Sequence, residues 1–238
     1  MALTFQTIDD RRPYVVSKLG NRTDIDASIN QWLGDAYLEL GNNYPFEELL
    51  TTEETSTVVG TGQYNYPDNV RAIRHLSIID SDDFKTPLVR RNQRFLDRYN
   101  TVHEGRPIVY SSYTDRTSAV PPVINRIILV RPVPDEVYTI EWRAWLKPVL
   151  ASPVENTILY LPDDWLEILD YAASLRGFTS LQAPNRAAEI HALLFGVDNP
   201  RTGKREPGLI TQRMTAMEAE YHDDHYGLRP VVTRMTAR

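Results

Sequence analysis

The sequence predicts an α+β protein: an antiparallel helix bundle from the N- and C-terminal helices, an inserted antiparallel β lobe, and an extended C-terminal tail. Three observations predict it. Apolar residues between Ile25 and Leu40 recur at spacings of three and four, the period of an amphipathic helix. Between Val123 and Trp145 the period changes to two, as in strands with one buried face. From Leu159 to Phe178 the chain is apolar on more than one helical stripe, as in a helix covered on most sides. The resulting division places a helical bundle domain at 1–50 and 156–226, a β-rich domain at 51–155 and the tail at 227–238.

Composition bounds the function. With 238 residues, 42% hydrophobic and 24% charged, the chain is long enough for one large or two small globular domains. A formal net charge of −6 argues against general duplex binding through a basic face. The absence of cysteine excludes disulfides, zinc ribbons, iron–sulfur sites and a cysteine nucleophile. The start, Met1-Ala2-Leu3-Thr4-Phe5, lacks the pattern of a signal peptide, and no apolar run reaches the length of a membrane span. The expectation is a protein made in the cytoplasm, with no membrane partner.

Taken in order, residues 7–19 suggest a short helix capped by Thr7 and stopped by Gly20, although Pro13 lies beyond the first turn where proline is tolerated. The next helix has Thr23 as its cap, acids at Asp24 and Asp26, and Gly41 as its stop. Its apolar set is Ile25, Ile29, Trp32, Leu33, Ala36, Tyr37 and Leu40. Thr- and Val-rich residues 51–59, the turn Gly60-Thr61-Gly62 and the alternating Gln63–Tyr66 form an expected hairpin rather than a phosphate loop, since no P-loop or dinucleotide fingerprint is present.

Residues 71–79 form a further expected strand, ending at the acidic turn 80–83. Residues 88–99 are expected to be helical with Phe95 and Leu96 inward, and a strand runs from 105 to 110. A second hairpin is expected between 123–130 and 137–145, with Tyr138, Ile140, Trp142 and Ala144 on one face and Thr139, Glu141 and Arg143 on the other. The helix after Leu161-Pro162 takes Asp163 and Asp164 as caps and Gly177 as its stop. Residues 185–195 are expected to be helical, 198–208 a loop, and 209–226 a final helix with Ile210, Met214, Met217 and Tyr221 as its contact face.

No catalytic motif emerges. The sequence lacks GxSxG, HExxH and P-loop patterns, and implies no cofactor. The cluster Tyr221-His222-Asp223-Asp224-His225 has metal-ligand chemistry but also the composition of a solvated helix end. Asp163 and Asp164 resemble an acid–base pair, yet their place at a helix start suits capping. Trp142 and Trp145 could stack on bases or sugars, but on an alternating strand they suit a core or an interface. The tail remains: Arg229-Pro230-Val231-Val232-Thr233-Arg234-Met235 is cationic, acid-free and extended-prone, the chemistry of a strand that adds to another protein's sheet edge.

The order of these segments resembles the head-to-tail adaptor (connector) proteins of tailed bacteriophages, particularly of short-tailed phages. The resemblance is carried by three stretches across about residues 20–200: Ile29–Leu33 with Ala36-Tyr37 and Tyr44-Pro45-Phe46; Val58–Asp68 with its Tyr-x-x-Pro corner; and Arg131–Trp142 followed by Leu161-Pro162-Asp163-Asp164-Trp165. It implies a structural virion protein at the head–tail junction and not an enzyme. Such a protein forms a ring, commonly of twelve copies, beneath the portal protein. The ring extends the channel through which packaged DNA passes without sequence-specific binding, and provides the platform for tail or nozzle proteins.

Residues 229–235 then become the expected portal contact. A closed ring has heterologous interfaces, for which Trp165, Ala172, Ala173, Trp142 and Trp145 are the candidates. The free chain is expected to be monomeric or weakly associated, because ordering the tail on the portal costs entropy and favours assembly on a template. Two alternatives stand beside this one: another tail, nozzle or tail-completion protein, and a metal-dependent hydrolase using the 222–225 cluster.

Overall fold

The computed structural model describes residues 5–22, 24–98, 103–116, 124–199 and 201–224. It is a mixed α+β structure with six α-helices and three sheets among these residues. The chain divides into two compact units, one formed by Met1–Leu40 with Leu150–Arg238 and the other by Gly41–Val149.

The first unit is mainly helical. Helix α1 (Ile8–Lys18) starts with a capping box: the Thr7 hydroxyl accepts from the Asp10 N–H at 3.3 Å, and the Asp10 carboxylate accepts from the Thr7 N–H at 2.8 Å. Gly20 adopts φ +79° just beyond the helix end, as its predicted stop requires. Pro13 lies within the helix rather than in its first turn. Of the seven predicted apolar residues, Ile25 is buried just ahead of helix α2 (Asp26–Asn43), which buries five of the other six and partly buries Trp32. Its predicted cap, Thr23, lies outside the described residues. The helix also continues through Gly41, which lies too close to the Pro148 ring for a Cβ; the glycine serves close packing, not termination.

Helix α4 (Asp163–Ser180) is the most buried element of this unit. It packs against α1, α5 (Pro184–Phe195) and α6 (Leu209–Asp224). Two expectations about its ends are corrected. Pro162 is the N-cap and no side chain caps the helix, so Asp163 and Asp164 lie inside its first turn. There they favour the positive end of the helix dipole without supplying a cap. Gly177 is internal, and a Cβ there would come within 3.0 Å of Leu19 and Trp32 side-chain atoms. The unit holds a buried ion pair that no local pattern reveals: the Arg11 guanidinium grips both carboxylate oxygens of Asp170 on α4.

The second unit is a β-sandwich. One sheet has the order β1 (Leu50–Ser56), β8 (Thr139–Leu146), β3 (Val70–Ile79), β4 (Lys85–Pro87). The other has the order β2 (Gln63–Asn65), β7 (Ile124–Arg131), β6 (Val109–Arg116), β5 (Val89–Arg90). All pairings are antiparallel except β5 with β6. Ile73, Leu76 and Ile78 of the first sheet share one core with Tyr110, Ile128 and Val130 of the second. Leu129 points oppositely, into a smaller cluster with Val109 and Leu96 of the short helix α3 (Gln93–Leu96).

Both predicted hairpins are corrected to corners between the sheets. β1 pairs with β8, while β2 pairs with β7. β7 and β8 likewise lie in different sheets. The glycine- and proline-marked turns were placed correctly, but each carries the chain across the sandwich instead of back along a neighbour. The expected helix at 88–99 shrinks to the four residues of α3; Leu96 is buried as predicted, whereas Phe95 is exposed. The expected loop at 198–208 contains a hairpin, β9 (Gly196–Asp198) with β10 (Arg205–Pro207).

Candidate functional site

The predicted interface residues fall into two groups. Trp165 and Ala173 are fully buried, and Trp142 is 7% exposed in the sandwich core. Their apolar surface is already covered within the chain, so a neighbouring copy could reach little of it. Ala172 and Trp145 are only partly buried. Trp145 lies on the outer face of the β8 sheet, with the guanidinium groups of Arg71 and Arg74 at 5.9 and 5.8 Å from its ring. The predicted portal segment, Arg229-Pro230-Val231-Val232-Thr233-Arg234-Met235, lies outside the described residues, as does His225.

Period two accounts for that outer face. Tyr138, Ile140, Trp142 and Ala144 are all buried, which turns Glu141 and Arg143 outward. Glu141 forms an ion pair with Lys85 on β4, and the Ser77 hydroxyl lies 2.8 Å from His75 Nε2. Burial pushes the His75 imidazole below its ordinary value, and the cations Lys85, Arg143 and Arg74 reinforce this against Glu141. Ser77 is fully buried, so its proximity to His75 does not make an accessible nucleophile. The face is polar, with Glu141 set among Lys85, Arg143 and His75.

Two exposed apolar groups have no counterpart in the sequence pattern, because exposure of single apolar side chains leaves no periodic signal. One is formed by Val58, Val59 and Val137 at the corner turns of the sandwich, 58%, 51% and 64% exposed. Those turns are tied together by Thr57 N–H to Tyr138 O at 2.8 Å and Gly60 N–H to Pro134 O at 2.9 Å. The other is in the helical unit, where Phe5 packs on Tyr160 at 5.1 Å beside the bridge from Thr7 to Ile158. Both groups leave apolar side chains open to a partner protein.

The β unit also has an open polar cleft of about 450 Å³ beside Tyr66. Its cations are engaged internally: Arg126 donates to the carbonyls of Val70 and Arg71 at 2.7 and 2.6 Å and lies over the Tyr66 ring, while Lys147 donates to Asp68 O at 2.6 Å. Among the described residues no group of three or more His, Asp or Glu is placed to hold a metal. Nor is any helix there long and apolar enough to cross a membrane. Asp164 pairs with Arg213 of α6 at 3.3 Å, and Asp163 and Asp164 are exposed.

No curated protein matches the chain. The SU10 adaptor protein family matches residues 6–211, which take in the β unit and the helical unit as far as the start of α6, but not the tail. The chain therefore belongs to the SU10 adaptor protein family, a family of bacteriophage head-to-tail adaptors.

Proposed function

We propose that this protein forms a ring beneath the portal, extends the DNA channel and carries the attachment surface for tail or nozzle proteins. The observation that carries the reading is the family match across residues 6–211. The family is one of structural phage adaptors, not of enzymes, and membership makes the chain a virion component. The exposed apolar groups at Val58, Val59 and Val137 and at Phe5 and Tyr160 support it, as does the partly exposed pair Trp145 and Ala172. A heterologous ring interface needs two different contact surfaces on each copy, and the two apolar groups meet that need. In this reading the helical residues 1–50 and 156–226 form a bundle, the β-rich residues 51–155 an inserted domain, and twelve copies close the ring.

The cationic segment from Arg229 to Met235 is the proposed portal contact, adding as a strand to a portal sheet edge. A binding assay with the portal from the same genome tests this by comparing the full chain with one ending at Tyr226. The full chain is expected to bind and the shortened one to fail. Equal binding by both would remove the tail from the mechanism and keep the adaptor; binding by neither would favour another tail component.

A further inference from the structure

The β9–β10 hairpin contributes nothing to the core. Val197, Asp198 and every residue from Arg201 to Pro207 are exposed. It is nonetheless built with care. The strands pair Asp198 with Arg205, Val197 with Glu206 and Gly196 with Pro207. At the root two glycines let the backbones cross: a Cβ on Gly196 would strike the Glu206 carbonyl, and one on Gly208 would strike the Leu194 carbonyl. Gly196 also has φ +84°, which side chains rarely adopt.

The turn is held just as closely. The Asn199 side-chain oxygen accepts from the N–H groups of Arg201 at 2.9 Å and Thr202 at 3.4 Å. Its backbone N–H donates to Lys204 O at 2.9 Å, and its amide nitrogen donates to the Glu206 carboxylate at 2.9 Å. Ordering exposed residues costs roughly 1–2 kcal/mol each in backbone entropy. Without burial in return, the fold alone does not account for this element.

Its tip is cationic. Arg201, Lys204 and Arg205 stand within five residues, and no acid lies between Asn199 and Arg205. Among the described residues none of the three is in an ion pair; Arg205 donates to the Phe195 carbonyl at 3.2 Å. The two acids at the base are Asp198, opposite Arg205 in register, and Glu206, engaged by Asn199. The chemistry selects the partner. A protein interface has an apolar core depleted of charge, and residues 201–205 offer no large apolar side chain. Phosphate backbones are held by arginine and lysine side chains, which this tip presents on a hydrogen-bonded turn.

We propose that the β9–β10 hairpin is a cationic finger that touches the phosphate backbone of duplex nucleic acid through Arg201, Lys204 and Arg205, without reading its sequence. That the duplex is DNA rests on the adaptor reading. The net charge of −6 gives the chain as a whole a background unfavourable to phosphate, against which a local cluster of cations such as the finger must act.

The test is fluorescence anisotropy of the full chain with two short labelled DNA duplexes of unrelated sequence, titrated across salt. Three phosphate contacts give a slope of log affinity against log salt of about −2.7, or about forty-fold weaker binding between 50 and 200 mM salt. Both duplexes should behave alike. The double variant Arg201→Gln/Lys204→Gln leaves Arg205 on its carbonyl, and its slope should fall to about −0.9 with an unchanged melting midpoint. Absence of binding by the unaltered chain at 50 mM salt, or an unchanged slope in the variant, would overturn the proposal. So would a variant that loses association with a second copy or the portal while the unaltered chain ignores DNA, since the finger would then be a protein contact. An unaltered chain that binds portal but not DNA sinks the finger and spares the adaptor reading; one that binds DNA but not portal does the reverse.

Discussion

The helical unit and the β unit differ in how far their structure depends on distant residues. In the helical unit, local period and boundary chemistry place the elements: Thr7 and Asp10 start α1, Gly20 stops it, and the three–four spacing of Ile29, Leu33, Ala36, Tyr37 and Leu40 selects the buried face of α2. In the β unit, period two selects the buried face of β8, yet it does not select the neighbour. A turn that reverses a strand within one sheet and a corner that carries it into the facing sheet use the same glycines and prolines. What decides between them is the shared core, to which both sheets contribute. Face is a local property of a strand, and partner is a property of the whole sandwich.

The sharpest way to break that contrast lies in the helical unit, where one distant contact has no local signal. Arg11→Ala would leave the buried Asp170 carboxylate without its partner, and a loss of about 3–5 kcal/mol is expected in urea unfolding. The paired change Arg11→Met/Asp170→Leu should cost far less, because neither charge is then left buried and uncompensated. In the β unit, Leu76→Ala removes a fully buried side chain and should cost about 2–5 kcal/mol. Arg143→Ala on the exposed face of β8 should stay within about 0.5 kcal/mol. If the outward residue mattered as much as the inward one, the face assignment would fail.

Smaller effects sharpen the comparison. Thr7→Ala deletes half of the capping box and should cost about 0.5–2 kcal/mol. For His75, burial and nearby cations lower the pKa of the folded state, so the unfolded chain binds more protons below its ordinary value of 6.5. The stability contributed by neutral His75 is therefore present above pH 6.5 and is lost as pH falls toward the folded value. Denaturation midpoints on the two sides of pH 6.5 should show that decline, and His75→Gln should flatten it.

Particular residues show what the sequence made legible. The buried set of α2, the inward face of β8 and the Thr7 cap followed from spacing and residue type. Gly41 and Gly177 misled, because a glycine chosen for close approach to Pro148 or to Leu19 and Trp32 looks like a helix stop when its neighbours are unknown. Asp163 and Asp164 misled by one and two positions, since Pro162 already occupies the cap. Trp142 and Trp165 were aromatic enough for an interface and were used in the core instead. The exposed valines at 58, 59 and 137 were invisible because their proximity arises from two corner turns far apart in the chain. The order of segments pointed to the phage adaptor family, and the match over residues 6–211 bears that out.

The measurement that tests the adaptor account most directly is the solution mass of the chain alone and after mixing with the portal of the same genome. The account predicts a monomer or a weakly associating chain by itself, and a closed ring of copies once portal is present. A stable ring without portal would contradict assembly on a template, and a chain whose mass ignores portal would contradict the adaptor role itself.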